Sequence, residues 1–181
     1  MAPSPRVLVL PGWQDSGPDH WQSRWERAHG FVRVQQADWM TPRRGDWLAR
    51  LDEALLAEAA PVRLAAHSLG CQLVAAWAAH SRHAARVAGA LLVAPPDTER
   101  EDTPGAIAGA WRRIERGRLP FSATVVASSD DPYCAIGRAR EMAGQWGARF
   151  VEIGARGHVN ADSGLGDWPE GLALLQALEP A

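Results

Sequence analysis

Residues 63–77 read RLAAHSLGCQLVAAW, and the fold turns on how that stretch divides. Its first half is a short apolar run that suits a buried strand. Its second half has helical spacing. Ser68 falls at the junction, with His67 before it and Gly70 two places on. A sharp strand-to-helix turn presents a nucleophilic serine in the pattern G-x-S-x-G. Here Ala66 stands in place of the first glycine. Both flanking positions stay small, as a strained turn with strand and helix in close approach requires. The helix beginning after Ser68 brings free backbone N–H groups and the positive end of a dipole. The Leu69 N–H would then face a developing oxyanion. The competing reading makes Ser68 a polar cap on the helix that begins at Leu69.

Outward from this turn, short β-rich runs alternate with helical patterns. Strands are expected at Arg6–Leu10, Phe31–Gln35, Val62–Ala66, Ala88–Ala94, Ala123–Ser128 and Arg149–Ile153. Helices are expected at about His20–Ala28, Asp46–Ala59, Leu69–Ser81, Ala106–Arg116, Ala135–Trp146 and Pro169–Leu178. In the second helix Leu48, Leu51 and Leu55 recur at helical spacing. The last has Asp167 as its expected N-cap, Pro169 in its first turn and Glu170 three places after the cap. Single-step alternation implies a parallel sheet with helices on both faces, and right-handed crossovers. Ligands bind outside the carboxyl ends of such strands, so the chemistry belongs in the loops that follow them. The least regular of these, PPDTEREDTP at residues 95–104, reads as an exposed loop leading into a helix with Ile107, Trp111 and Ile114.

Composition narrows the function classes. The 181 residues suit a single domain with a sizeable core, expected to span residues 1–181. A net charge of −2 gives no basic field for nucleic acid or a membrane surface. All 19 basic residues are arginine, which excludes Schiff-base lysine chemistry and a P-loop lysine. Cys71 and Cys134 have no metal-type spacing and read as free thiols in a reducing compartment. The apolar run Val7–Leu10 is too short for a signal sequence, and no downstream segment spans a membrane, so a cytoplasmic location is expected. No clustered His/Asp/Glu spacing suggests a metal, and no cofactor is expected.

Three strand ends carry catalytic residue types. The third ends at His67–Ser68. The fifth ends in SSDDPY, which places Asp130 and Asp131 just past the sheet; Asp131 is the better acid and Asp130 the better turn or helix cap. The sixth leads into GARGHVN, where Gly154 and Gly157 let the backbone bring His158 inward. Among the 6 histidines only His158 combines a strand-end loop with a place after the acid. His29, His80 and His83 read as solvated at helix ends, whereas His67 either lines the site or packs beside the turn. The order Ser68, Asp131, His158 fits α/β-hydrolases and differs from the chymotrypsin and subtilisin orders. In that chemistry His158 takes the Ser68 proton, Asp131 orients the imidazole, and an acyl-enzyme forms and is hydrolysed. A second oxyanion donor is expected at the Trp13 N–H, in the loop LPGWQDSGPDHW, where Gly12 permits close approach.

These residues resemble a known group. PGWQDSGPDHWQSRW, DWMTPRRGDW, AHSLG, SSDDPY and GHVNADSGLGDWPEG are similar to segments of the YdeN-like, retinoblastoma-binding-protein-like serine hydrolases, over nearly the whole chain. The resemblance implies a compact three-layer α/β-hydrolase core without the two leading strands of larger members, with sheet order 2-1-3-4-5-6. It places the family's serine, aspartate and histidine on Ser68, Asp131 and His158. It also implies esterase action on small acyl esters, and includes members described through protein binding.

For the acyl pocket, Trp13 and Trp39 are the best placed of the 9 tryptophans, and His67 is a further candidate for substrate contact. The helix with Ile107 and Trp111 either covers the site or packs in the core. Few inserted residues imply a shallow pocket for short acyl chains. Two other readings stay open: a non-catalytic protein-binding or regulatory module on the same scaffold, and an acyltransferase or peptidase with the same three residues.

Overall fold

In the computed structural model, which describes residues 5–179, the strands β1 (Val7–Leu10), β2 (Val32–Arg33), β3 (Val62–His67), β4 (Val87–Val93), β5 (Ala123–Ala127) and β6 (Arg149–Glu152) form one parallel sheet. Their order is 2-1-3-4-5-6, as expected. The helices are α1 (Trp21–His29), α2 (Arg44–Ala57), α3 (Leu69–His80), α4 (Gly105–Trp111), α5 (Ile136–Trp146) and α6 (Pro169–Gln176).

Strand alternation divides the interior into two cores. Leu8, Leu10, Leu64, Ala66, Leu92 and Val125 face the side of α2, α3 and α5, with Leu51, Leu55, Leu73, Val74 and Met142. Val7, Ala65, Leu91, Val93 and Val126 face the side of α1 and α6, with Trp21, Trp25, Trp168 and Leu175. In α2 the fully buried stripe is Trp47, Leu51 and Leu55, while Leu48 is only partly buried.

Several boundaries differ from the expected ones for identifiable reasons. β2 is two residues long, although the Val34 N–H still reaches the Val9 carbonyl. α4 ends at Trp111 rather than Arg116, because the Ile114 N–H turns to the Glu99 carboxylate at 3.3 Å instead of a helical carbonyl. Ile114 remains buried outside the helix. The cap of α6 is Trp168, in the left-handed region at φ 44°, and not Asp167. Asp167 is held by α1: its carboxylate accepts from Arg24 at 3.1 Å and its carbonyl from the Trp25 indole at 2.7 Å. A Cβ on Gly171 would lie 2.3 Å from the Trp168 ring, so the glycine makes room for the indole. The loop at residues 95–104 is not simply exposed, for Thr98 is 1% exposed. Two of its four carboxylates turn inward, with Asp97 and Glu99 both pairing with Arg138, while Glu101 and Asp102 stay exposed.

The indoles act as staples as well as core. Those of Trp21, Trp47, Trp111 and Trp146 donate to the carbonyls of Val159, Asp38, Pro42 and Glu115. Large apolar rings thereby satisfy buried loop acceptors while filling volume.

Candidate active site

The turn between β3 and α3 holds Ser68 at φ 55°, ψ −125°, a conformation that L residues rarely adopt and that costs energy unless its surroundings impose it. The surroundings are tight. A Cβ on Gly70 would sit 2.3 Å from the Leu10 carbonyl oxygen, so α3 approaches β1 as only a glycine allows. A Cβ on Gly12 would sit 2.9 Å from Ser68 Cβ and 3.0 Å from the Leu69 nitrogen. Ala66, at the position of the missing first glycine, is wholly buried. Ser68 makes no side-chain cap bond to α3, and its hydroxyl turns elsewhere.

That hydroxyl lies 2.8 Å from Nε2 of His158. The other ring nitrogen, Nδ1, stands 2.9 and 3.0 Å from the two carboxylate oxygens of Asp131. A carboxylate only accepts, so Nδ1 carries the proton and Nε2 presents its lone pair to the serine O–H. The Asp131 side chain is 3% exposed, and its Oδ1 also accepts from the Tyr133 N–H at 2.9 Å. The Tyr133 ring packs edge-on against His158 at 4.6 Å.

Asp130 has a different place. Its Oδ1 accepts from Ser128 Oγ and from the Gly157 N–H, both at 2.8 Å. These bonds hold its carboxyl below the usual range. Ser128 Oγ in turn accepts from the Arg156 N–H at 2.8 Å, so the loop before His158 is fastened to the end of β5.

Trp13 and Leu69 both line the cleft beside Ser68. Among the described residues neither backbone N–H finds a protein acceptor, so both remain available to an incoming oxygen. The Trp13 loop is braced from below by Arg33 on β2. Its guanidinium donates to Asp15 at 2.8 Å, to the Ser16 carbonyl at 3.1 Å and to Glu26. Asp15 and its neighbour Gln14 both have positive φ, 63° and 69°.

The cleft has a volume of about 400 Å³. Its apolar wall is Trp13, Pro96, Pro104, Ile107, Pro132 and Tyr133. Trp39 is not among the lining residues. It packs edge-on against Trp47 at 5.6 Å, and its carbonyl accepts the Gln14 N–H. Ile107 lines the cleft, whereas Trp111 and Ile114 belong to the core. His67 lines the cleft but is 6% exposed, and its Nε2 is 2.8 Å from the His158 carbonyl oxygen.

The sequence reading passed over His20. This residue lines the cleft and caps α1, its Nδ1 accepting the Gln22 N–H at 3.1 Å. Burial, with the Arg33 guanidinium and His158 nearby, pulls its pKa down to about 3. An N-cap is usually read from Ser, Thr, Asp or Asn, so a capping histidine gives little signal. Both cysteines are free and buried; burial pushes the Cys134 thiol up to about 12 and raises Cys71 well above the usual range. Among the described residues no group of three or more His, Cys, Asp or Glu side chains could hold a metal, and no helix is long and apolar enough to cross a membrane.

The sequence model of the family described as "Serine hydrolase" matches residues 7–177. A structure from Pectobacterium atrosepticum described as a YdeN-like hydrolase shares 30% identity and a TM-score of 0.85, over 97% of this chain and 90% of that one. The ydeN gene product of B. subtilis shares 24% identity and a TM-score of 0.72, over 96% and 98%. Est1E of Butyrivibrio proteoclasticus, solved with ferulic acid bound, shares 13% identity and a TM-score of 0.71, over 95% and 87%. The fold is that of the α/β-hydrolases. No curated protein matches the sequence.

Proposed function

This chain belongs to the serine hydrolase family, and from that premise we propose that it is a carboxylesterase that cleaves small, uncharged acyl esters through Ser68, His158 and Asp131. The observation that carries this reading is the unbroken file from Ser68 Oγ to His158 Nε2 and from His158 Nδ1 to Asp131, at 2.8 and 2.9 Å. A non-catalytic binding module would leave both that file and the strained backbone of Ser68 without a role.

His158 Nε2 removes the serine proton as Oγ attacks the ester carbonyl. Asp131, acceptor-only and nearly buried, stabilises the imidazolium that results. The carbonyl oxygen becomes an oxyanion and is met by the backbone N–H groups of Trp13 and Leu69, which have no protein acceptor of their own among the described residues. His158 then protonates the leaving alcohol, and the acyl group remains on Ser68. Water, deprotonated by the same nitrogen, attacks the acyl-enzyme, and Ser68 recovers its proton.

The substrate's character follows from the cleft. Asp15 pairs with Arg33, Asp97 with Arg138 and Asp102 with Arg100. Each carboxylate on the wall is thus held by an arginine, and an uncharged acyl group would disturb none of these pairs, whereas an anionic one would face Asp15, Asp97 and Asp102. A cytoplasmic location belongs to the same reading, with two buried free thiols in its support.

Labelling with a fluorophosphonate tests the proposal. Wild type is expected to label and Ser68→Ala is not. A folded wild type that fails to label, or a Ser68→Ala variant that labels equally, overturns it.

A further inference from the structure

His67 has so far been placed without a function. It is the last residue of β3, and so shares a peptide bond with Ser68. Its ring is wedged between two other imidazoles, 4.6 Å from His20 and 4.9 Å from His158. The His158 carbonyl oxygen can only accept, so the 2.8 Å contact requires His67 Nε2 to donate. Burial holds His67 well below the ordinary histidine range, so it makes this bond as a neutral ring. Neutrality matters, because a cation here would oppose the imidazolium that forms next door on His158.

The His158 carbonyl belongs to a peptide under strain. Val159, which follows it, is buried and β-branched, yet has φ 51°. A side chain of that kind does not adopt such a backbone unless it is imposed. Before His158 the chain is fastened by Ser128 and Asp130 to the end of β5. After it, the Val159 carbonyl is held by the Trp21 indole at 2.9 Å. The His158 carbonyl itself has only His67 as donor among the described residues.

We propose that His67 is a positioning residue, which fixes the backbone of His158 from the strand end that also carries Ser68. Nucleophile and base would then share one reference point. Shifts of β3 would carry Ser68 and His158 together, and their 2.8 Å separation would survive motion of the surrounding loops. This inference rests on the proposed hydrolase reading. It departs from the sequence expectation of His67 as a substrate contact, and the two differ in what they predict.

The test compares His67→Gln with His67→Asn, and adds His67→Leu, using p-nitrophenyl acetate and the rate of fluorophosphonate labelling. A glutamine amide reaches the position of Nε2, whereas asparagine, one methylene shorter, does not. His67→Gln is expected to keep kcat within about threefold of wild type. His67→Asn and His67→Leu are expected to lose about 10–100-fold in kcat and in labelling rate, as misplaced reacting groups do, with KM within about threefold. A rise in KM at unchanged kcat would make His67 a substrate contact and overturn the proposal. Equal losses in the Gln and Asn variants would reduce it to core packing, and wild-type rates in the Asn variant would also sink it. Failure of the hydrolase reading itself has a separate signature, namely labelling that is absent in wild type or persists in Ser68→Ala.

Discussion

Ser68 is held in a conformation that its own chemistry does not favour, and that strain should be measurable. Glycine relieves positive φ and alanine does not. Ser68→Gly and Ser68→Ala are both expected to be inactive, but the glycine variant should be the more stable by about 1 kcal/mol in urea unfolding, after allowing for glycine's greater freedom when unfolded. Equal stabilities would mean that the turn carries no strain. The adjacent aspartates should separate as sharply. Asp131→Asn is expected to cost about ten-thousand-fold in kcat, because an amide favours the wrong tautomer of His158. Asp130→Asn keeps an acceptor for Gly157 and Ser128, so its loss should stay below about tenfold. Comparable losses would overturn the assignment of the acid. Chain order and strand ends made the meeting of Ser68, Asp131 and His158 legible, even with Ala66 in the elbow pattern. The bond from His67 to the His158 carbonyl was not legible, because it joins a strand end to a loop 91 positions away through a backbone atom.

Among the elements, α3 depends on one missing methyl group. Gly70→Ala would push a Cβ to 2.3 Å from the Leu10 carbonyl, forcing α3 off β1. A loss of about 3 kcal/mol, the upper end of overpacking costs, is expected together with loss of labelling. The start of α1 offers a pH test. The folded pKa of His20, about 3, lies below the unfolded value of 6.5. The unfolded chain therefore binds the extra proton between those values, and the buried neutral ring contributes stability that is complete above pH 6.5 and lost as pH falls. The slope is about 1.4 kcal/mol per proton per pH unit, and His67, shifted in the same direction, adds to it. Carboxyls held low, such as Asp52 and Glu99, contribute nearer pH 4 and below. Urea midpoints should thus fall from pH 6.5 to pH 5. His20→Asn, which retains a capping acceptor for α1, should flatten that fall. An unchanged slope would mean that His20 titrates normally. Helix periodicity located α1 and α3 to within a residue. It overran α4, because no local pattern announces that the Glu99 carboxylate will take the Ile114 N–H.

For the whole molecule, strain gathers on one face. Non-glycine residues with positive φ include Gln14 and Asp15 after β1, Ser68 after β3, Ala94 after β4 and Val159 beyond β6. The regular sheet supports these costs where strand ends converge on the cleft. The expected substrate range depends on how far an acyl chain stays covered. If the pocket is shallow, methylenes that run past the apolar wall of Trp13, Ile107 and Tyr133 gain no burial. Acetyl and butyryl p-nitrophenyl esters are expected to exceed the dodecanoyl ester by about tenfold or more in kcat/KM. Faster turnover of the long chain would contradict a shallow pocket. A parallel sheet between two helical layers was legible in the strand–helix alternation, whereas its order came from the family resemblance, because right-handed crossovers alone leave several arrangements open. The cleft wall at residues 95–104 was not, since its charged sequence suits solvent until Arg138 draws Asp97 and Glu99 inward.

The flanks of the sheet have a consequence of their own. One flank is β2, only two residues long; the other is β6, where Arg149 and Glu152 stand exposed. A neighbouring chain seeking to add a strand would meet a stub on one side and charge on the other. Both described edges of the sheet are thereby blunted against strand addition when native copies crowd together.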